Sequence, residues 1–277
     1  MHGLALLISA ALALLLAPPL LRGMREAGAV RPNYRGRSLP FPFGVLIVLA
    51  ALAALLVLVP LQRAGDVLHP ETGAIALYVF GVAFLGLLDD TLGQTLAGAP
   101  RGLRAHGRAL AGGRMSTGAL KALGTVALAL YATSLQHSQP LGRWLLESAV
   151  LVLATHAFNL LDLRPGRTLK ALAVLGLALT LASGTRALEA LGLLLGPALL
   201  AGLYDLRERS LLGDTGASAF GALAGLWLVL TLSSVGQAIA LALLIAISLF
   251  GELRSISALL ERLPLLSQLD SLGRPSR

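Results

Sequence analysis

The chain has 277 residues, of which 56% are apolar and 13% are charged. A soluble domain of this length carries about a quarter charged residues, so the composition excludes an ordinary water-soluble enzyme. Cysteine is absent, which excludes disulfide bonds, a thiol nucleophile and a thiolate metal site. The formal net charge is +8, and we interpret it as a determinant of membrane orientation rather than of nucleic-acid binding.

The apolar residues occur in nine blocks of roughly 20 residues, the length that a helix needs to cross a bilayer. Because backbone groups inside a bilayer must bond within their own segment, each block predicts a helix. The blocks are continuous runs without alternation, which excludes membrane-spanning β-strands. The sequence therefore predicts an all-α integral membrane protein, a single bundle over 1–252. The predicted spans are 3–21, 43–61, 73–89, 118–136, 143–161, 169–184, 187–205, 213–232 and 237–252.

The distribution of positive charge predicts the orientation of the bundle. With the N-terminus outside, the inward segments are 22–42, 90–117, 162–168, 206–212 and 253–277. Together with Lys121 and Lys170, these segments contain 19 of the 22 Lys and Arg residues. Basic loops remain in the cytoplasm, so we predict an outside N-terminus and a cytoplasmic C-terminal tail. The end of that tail is expected to lie on the membrane or to be loose.

Two adjacent carboxylates, Asp89 and Asp90, end the third apolar block on the predicted inward side. Neighbouring negative charges at a membrane surface repel each other and attract a divalent cation or a cationic group. A helix end that reaches water explains the same residues equally well. This motif alone therefore leaves both interpretations open.

A third carboxylate, Asp214, begins the eighth block within the segment Gly213, Asp214, Thr215 and Gly216. Glycines allow a ligand to approach the backbone, the amides at a helix start suit a phosphate, and a carboxylate can hold Mg²⁺. The alternative is an ordinary aspartate cap of a helix. We predict that Asp214 is a metal ligand, and that Asp89 and Asp90 are further candidates.

The inner end of the fifth block carries His156, Asn159 and Asp162, followed by Arg164 and Arg167. Polar side chains at such a depth are costly and are usually functional, although an interhelical hydrogen bond also explains Asn159. For His156, a packing role and a catalytic role are equally plausible. We predict that Asn159 and Asp162 are catalytic and that the other three bind substrate.

Basic side chains also occur within the loops 31–37 and 90–117, and Lys121 follows the second loop. Arginine fits phosphate oxygens in bidentate fashion and lysine acts as a point charge, whereas the positive-inside rule explains any single one of these residues. We predict that Lys121 is catalytic and that Asn33, Arg35 and His106 bind substrate. Carboxylates, amides and cations on one face favour a Mg²⁺-assisted phosphate reaction at the inner leaflet.

These motifs resemble, in order, those of the polyprenyl-phosphate N-acetylhexosamine-1-phosphate transferases. The segment 31–36 resembles the family's KPNxRG loop, Asp89 and Asp90 its double aspartate, and Lys121 the lysine of its TGxxK motif. The segments 159–162 and 213–216 are similar to its NxxD and GDxGS motifs. The resemblance covers 31–218 and places every motif on the predicted cytoplasmic side.

The resemblance implies transfer of a sugar 1-phosphate from a UDP-sugar to undecaprenyl phosphate, with release of UMP, in a bacterial cytoplasmic membrane. Mg²⁺, or Mn²⁺ in its place, would be bound by Asp214 at the donor pyrophosphate. Asp89 and Asp90 would orient or deprotonate the lipid phosphate or help hold the metal, and Lys121 would pair with a phosphate. A homodimer is expected by analogy alone.

The chain also departs from the family pattern. Asn159 and Asp162 would face the nucleotide, but a basic run at 163–167 follows where the family has an acidic one, and no histidine follows His156. Muramoyl-pentapeptide is therefore not the expected donor sugar. Two alternatives remain: a non-catalytic homologue that binds polyprenyl phosphate or a lipid-linked sugar, and a lipid-phosphate transporter, which would need polar residues at mid-membrane.

Overall fold

The computed structural model describes residues 3–93, 112–113, 115–135, 139–254, 257 and 263–275. Within these residues a helix occurs at each of the nine predicted blocks, and a short helix follows in the tail. The helices are α1 Gly3–Glu26, α2 Val45–Gln62, α3 Thr72–Leu92, α4 Thr117–Ser134, α5 Leu141–Leu161, α6 Arg167–Ser183, α7 Arg186–Leu206, α8 Gly213–Thr231, α9 Ser234–Leu253 and α10 Pro264–Ser271.

Seven helices in the described part of the chain are long and apolar enough to cross a membrane: α1, α2, α3, α5, α7, α8 and α9. This confirms an all-α, multi-pass membrane protein. Helix α6 has 17 residues, and helix α4 has 18 residues and carries Lys121 and several hydroxyl side chains. A total of nine crossings and the orientation of the bundle stay predictions.

Helix α8 lies at the centre of the bundle, and most of its residues are buried. It packs most extensively against α5 and α3 and also contacts α6 and α7. Its small residues permit this close packing: a Cβ atom at Gly221 would lie 2.6 Å from the Cα atom of Thr155 in α5. The residues at the start of α8 are therefore held at a fixed position among the other helices.

A short antiparallel hairpin follows α1 and consists of β1 (Val30–Pro32) and β2 (Ser38–Pro40). Its turn is closed by Asn33, whose Oδ1 atom accepts hydrogen bonds from the amides of Arg35 and Arg37 at 2.9 and 3.0 Å. The chain after β2 is tied to the chain before α8, because the amide of Phe43 donates to the carbonyl of Leu211 at 2.8 Å. The hairpin thus lies beside the start of α8.

The described part of the C-terminal tail is bonded to the bundle. The carboxylate of Asp270 accepts hydrogen bonds from Arg167 at 2.7 and 2.9 Å and from Arg274 at 3.2 and 2.9 Å. Burial would raise the pKa of Asp270, but the hydrogen bonds and charges of the two arginines outweigh it and lower that pKa. Asp270 is therefore ionised at neutral pH.

Two glycines bring the start of α2 against the start of α8. A Cβ atom added at Gly44 would collide with the backbone nitrogen of Gly216, and one at Gly216 would lie 3.1 Å from the Cα atom of Gly44. Backbone atoms cannot move aside as the end of a flexible side chain can. Larger residues at these positions would force the two helix ends apart.

We expect Gly44→Ala to lower the free energy of unfolding by about 1–3 kcal/mol, the range for overpacking a close contact. The measurement is the thermal unfolding midpoint of the purified protein in detergent. The control is Gly73→Ala, also at a helix start, where an added Cβ meets nothing within 4 Å. Equal midpoints for Gly44→Ala and the parent protein would contradict the proposed close contact.

Candidate active site

The side chain of Lys121 in α4 lies between the ends of three other helices. Its Nζ atom is 3.1 Å from Oδ2 of Asp89 in α3 and 3.2 Å from Oδ2 of Asp214 in α8. It is also 3.4 Å from Oδ1 of Asn159 in α5. The structure therefore brings together four of the predicted site residues, which we call the lysine cluster (Asp89, Lys121, Asn159 and Asp214).

Helices α3 and α8 approach closely enough to join the cluster because Gly86 has no side chain. A Cβ atom there would collide with the backbone carbonyl of Asp214. Gly86 lies one helical turn before Asp89 and Asp90, so the close contact sets those carboxylates beside the start of α8. Gly86 therefore helps to position Asp89 and Asp90.

Asp90 binds the start of α8 and not the ammonium group of Lys121. Its carboxylate accepts hydrogen bonds from the amides of Asp214 and Thr215 at 3.0 and 2.8 Å, and from the Thr215 hydroxyl at 2.7 Å. The side chain is buried. A carboxylate at the positive end of a helix is favourable, so Asp90 serves here as a cap supplied by another helix.

This arrangement differs from the expectation that the amides of the Gly213–Gly216 segment are available to a phosphate. Two of them donate to Asp90, because that carboxylate is the nearest anion to the helix start. Gly213 has a φ of +73°, and a Cβ atom there would lie 2.7 Å from Oδ2 of Asp90. Gly216 is used for packing against Gly44, so direct substrate contacts by this segment stay a prediction.

Asn159 is held by its own helix and by α8. Its Nδ2 atom donates to the carbonyl of Thr155 at 2.8 Å and to the hydroxyl of Ser218 at 3.2 Å. Its Oδ1 atom is thereby oriented toward Lys121. Ser218, which the sequence did not single out as a site residue, supports the orientation of the amide.

A cavity of about 220 Å³ is formed where the hairpin, the loop after α5 and the loop before α8 meet. Its polar lining includes Arg31, Tyr34, Asp162, Arg164 and Asp205. Burial, reinforced by the negative charges of Asp205 and Asp214, raises the pKa of Asp162 well above its ordinary value. A protonated Asp162 can donate a hydrogen bond, which an ionised carboxylate cannot.

Arg31 links this cavity to the lysine cluster. Its guanidinium group donates to the backbone carbonyl of Asp90 at 2.7 Å and stacks on the ring of Phe41 at 3.6 Å. Arg164 lies over the ring of Tyr34 at 4.5 Å. Cationic and aromatic groups therefore cover one side of the cavity, while carboxylates line another.

Glu208, in the loop between α7 and α8, is a residue that the sequence reasoning missed. It is buried and accepts hydrogen bonds from Asn33 and Tyr34, both at 3.1 Å, and its Oε1 lies 3.4 Å from Nε of Arg35. Its φ is +50°, an unfavourable conformation for a residue other than glycine. The signal in the sequence was an acidic residue between Arg207 and Arg209, which resembles an ordinary solvated loop.

Asp205, near the end of α7, was also missed. Its carboxylate accepts hydrogen bonds from the amide of Gly166 at 2.7 Å and from the amide of Leu212 at 3.3 Å. It therefore joins the loop after α5 to the loop before α8. Together with Glu208 it fixes the walls of the cavity.

The remaining predicted substrate-binding residues are His156, Arg167 and His106. The Nε2 atom of His156 is 3.9 Å from Oε1 of Glu252 and makes no hydrogen bond among the described residues. Arg167 is buried and binds Asp270, as described above. His106 lies outside the described residues.

No group of three or more His, Cys, Asp or Glu side chains that could hold a metal occurs among the described residues. Asp89 and Asp214 nevertheless present carboxylate oxygens toward one shared position, which the ammonium group of Lys121 fills. Carboxylate oxygens are the donors that Mg²⁺ prefers, and protein sites for Mg²⁺ often use one or two carboxylates together with substrate phosphates. The donor set therefore fits Mg²⁺ when a phosphate supplies further oxygens.

The chain is similar to the phospho-N-acetylmuramoyl-pentapeptide-transferase of Moorella thermoacetica (strain ATCC 39073 / JCM 9320). The two are 31% identical over 249 residues, which covers 82% of this chain and 74% of the relative. No protein-family model matches the chain.

The two adjacent aspartates are expected to respond differently to loss of charge. Asp90→Asn removes an acceptor from the buried start of α8 and should lower the free energy of unfolding by about 2–3 kcal/mol. Asp89→Asn, whose side chain faces Lys121 and is 19% exposed, should unfold close to the parent. Thermal unfolding midpoints of both variants in detergent test this difference, and a reversed order would contradict the assigned roles.

Proposed function

The chain belongs to the phospho-N-acetylmuramoyl-pentapeptide-transferase family, and we propose that it transfers a sugar 1-phosphate from a UDP-sugar to a polyprenyl phosphate, with release of UMP. The reaction would take place at the cytoplasmic face of a bacterial membrane, in the synthesis of an envelope glycan. The acceptor is expected to be undecaprenyl phosphate.

One observation carries this proposal: Lys121 is held by two carboxylates at the ends of two membrane helices, beside a polar cavity. Ionisable groups in a membrane bundle are costly and mark functional sites. An ammonium group that can pair with phosphate, beside carboxylates that can share a metal, matches the needs of a reaction between two phosphate groups.

In the proposed reaction an oxygen of the lipid phosphate attacks the β-phosphorus of the donor. The bond between that phosphorus and the oxygen bridging to the α-phosphate breaks, and UMP leaves with the bridging oxygen. Lys121 pairs with a phosphate oxygen, and Asp89 orients the acceptor phosphate. Asp214 and Asp89 would hold Mg²⁺, which when bound supplies positive charge against the negative pyrophosphate.

Asp90 acts indirectly, because it fixes the start of α8 and hence the position of the Asp214 backbone. Asn159 orients Lys121 through its amide oxygen. The chain's own contribution is therefore mainly positioning and electrostatic stabilisation, which are the principal sources of rate in phosphate transfer.

The nucleotide is proposed to occupy the cavity beside the lysine cluster. Asp162, which lines the cavity, can form a hydrogen bond with a polar group of the base. Tyr34 and Arg164 offer a flat surface on which a base can stack. The basic run at 163–167, in place of the acidic run of the family, favours a donor sugar other than muramoyl-pentapeptide.

The proposal is tested by measuring UMP release from purified protein in detergent, with undecaprenyl phosphate, Mg²⁺ and a panel of UDP-sugars. Release that requires one UDP-sugar and the lipid is the expected result. We expect Asp214→Asn to lower the rate by about 100–1000-fold, the range for loss of one group that stabilises the transition state. The matched control is Asp66→Asn, which changes a carboxylate in the loop between α2 and α3 and should keep the parent rate.

Lys121→Ala should also lower kcat/KM by about 100-fold or more, because the phosphate loses its cationic partner. The variant should remain folded, since Asp89 and Asp214 can each be hydrated at the exposed side of the cluster. Parent kinetics in Lys121→Ala would leave the lysine with an effect on orientation in the membrane only.

The same assay separates the transferase from the non-catalytic homologue. If folded protein that still binds undecaprenyl phosphate releases no UMP with any UDP-sugar, the proposed transferase activity is wrong. That result would support a lipid-binding role in envelope assembly. Movement of the lipid phosphate between leaflets of a vesicle, without UMP release, would support a transporter.

A further inference from the structure

The tail helix α10 is fixed to the bundle along one side. Asp270 is bonded by Arg167 and Arg274, and Lys170 donates from its Nζ atom to the carbonyls of Leu269 and Asp270 at 3.0 and 2.6 Å. Arg167 also donates to the hydroxyl of Ser257 at 2.8 Å. Because Arg167 and Lys170 form the first turn of α6, these bonds place α10 at the end of α6 that joins the loop 162–166.

The chain after α10 contacts two of the loops that form the cavity. Arg274 donates from Nε to the carbonyl of Pro165 at 2.8 Å, and Arg35 donates to the carbonyl of Pro275 at 3.2 Å. Pro165 belongs to the loop after α5, and Arg35 belongs to the turn of the hairpin. The tail therefore joins the two loops from outside the cavity.

The tail also carries apolar side chains that the described part of the chain leaves exposed. Leu263, Leu266, Leu269 and Leu272 are 44%, 38%, 60% and 67% exposed. Within α10 the side chains of Leu266 and Leu269 are about 60° apart around the helix axis, and Gln268 lies on roughly the opposite side from Leu266. Four exposed leucines therefore occur within ten residues, and we call this set the leucine row (Leu263, Leu266, Leu269 and Leu272).

The position of the leucine row indicates what covers it. Helix α9 is long and apolar enough to cross the membrane and ends at Leu253, and α10 is bonded to the first turn of α6. The segment thus lies at the level where helices of the bundle leave the hydrocarbon layer. Lys170 and the exposed Arg254 add positive charge near that level, and a helix with an apolar row and neighbouring cations favours the membrane interface.

We propose that residues 263–272 form an interfacial membrane segment, whose leucine row inserts into the leaflet on the side of the lysine cluster. Asp270 and the residues after the segment, Arg274 and Pro275, attach it to the first turn of α6, the loop 162–166 and the hairpin turn. The occupant of the leucine row is the lipid bilayer. This inference does not depend on the proposed transferase activity.

The absence of cysteine permits a direct test with the full-length chain. Leu266→Cys, Leu269→Cys and Gln268→Cys are each labelled with a nitroxide and reconstituted into nanodiscs of phosphatidylglycerol and phosphatidylcholine. Electron paramagnetic resonance then compares the collision rates with oxygen, which concentrates in lipid, and with a water-soluble nickel chelate. Leu243→Cys, on the exposed face of the membrane-spanning helix α9, provides the reference for a label in the bilayer.

We expect the ratio of oxygen to nickel accessibility at 266 and 269 to shift toward that at 243, while the ratio at 268 stays at the value for water. Labels at 266 and 269 as accessible to nickel as the label at 268 would overturn the proposal. Two labelled leucine positions keep the test decisive when one of the variants fails to fold.

A second copy of the chain is the competing occupant of the leucine row. Dipolar broadening between labels at 269 on two chains, lost on dilution with unlabelled protein, would show a protein interface there and overturn the membrane assignment. Asp270→Asn tests the attachment of the segment to the bundle. Loss of the bond to Arg167 should increase the mobility of the label at 266. Unchanged mobility would overturn the proposed link between the tail and the cavity loops.

Discussion

The start of α8 imposes the constraint on which the rest of the site depends. The first amides of a helix have no partner within the helix, and water cannot freely satisfy them inside a packed membrane bundle. Asp90 supplies the missing acceptor from α3. Because that bond requires the two helices to be close, it explains Gly86 and Gly213 at the point of contact. The position of Asp214, and with it the lysine cluster, follows from this capping interaction.

Once Asp90 is committed to the helix start, the two other carboxylates need a cation. Asp89 and Asp214 would repel each other at close range, and the ammonium group of Lys121 between them offsets that repulsion. This arrangement holds the cluster together without substrate and keeps its charge partly open to solvent, with Asp214 38% exposed. A site stabilised by a cation on a flexible side chain is suited to rearrange when phosphates, with or without a metal, enter it.

Much of the fold could be predicted from the sequence, because apolar blocks in a membrane protein translate directly into helices. The pairing of Asp89, Lys121, Asn159 and Asp214 was also accessible, since their order along the chain places them on one face. The different roles of Asp89 and Asp90 could not be predicted, because they depend on the rotation of α3 relative to α8. Glu208 and Asp205 were missed because a buried carboxylate in a short polar loop or at a helix end has the same sequence pattern as a solvated one.

The arginines of the predicted inward loops show why a count of charges does not assign roles to single residues. Arg31 binds the carbonyl of Asp90, Arg35 lies beside Glu208, and Arg167 binds Asp270, which is 103 positions away in the chain. Each bond joins segments that are distant in sequence, so these residues connect loops in addition to any effect on topology. The pair between Arg167 and Asp270 is largely buried, so salt screens it less than it screens an exposed pair. The cavity therefore owes its shape to electrostatic contacts that the sequence alone could not assign.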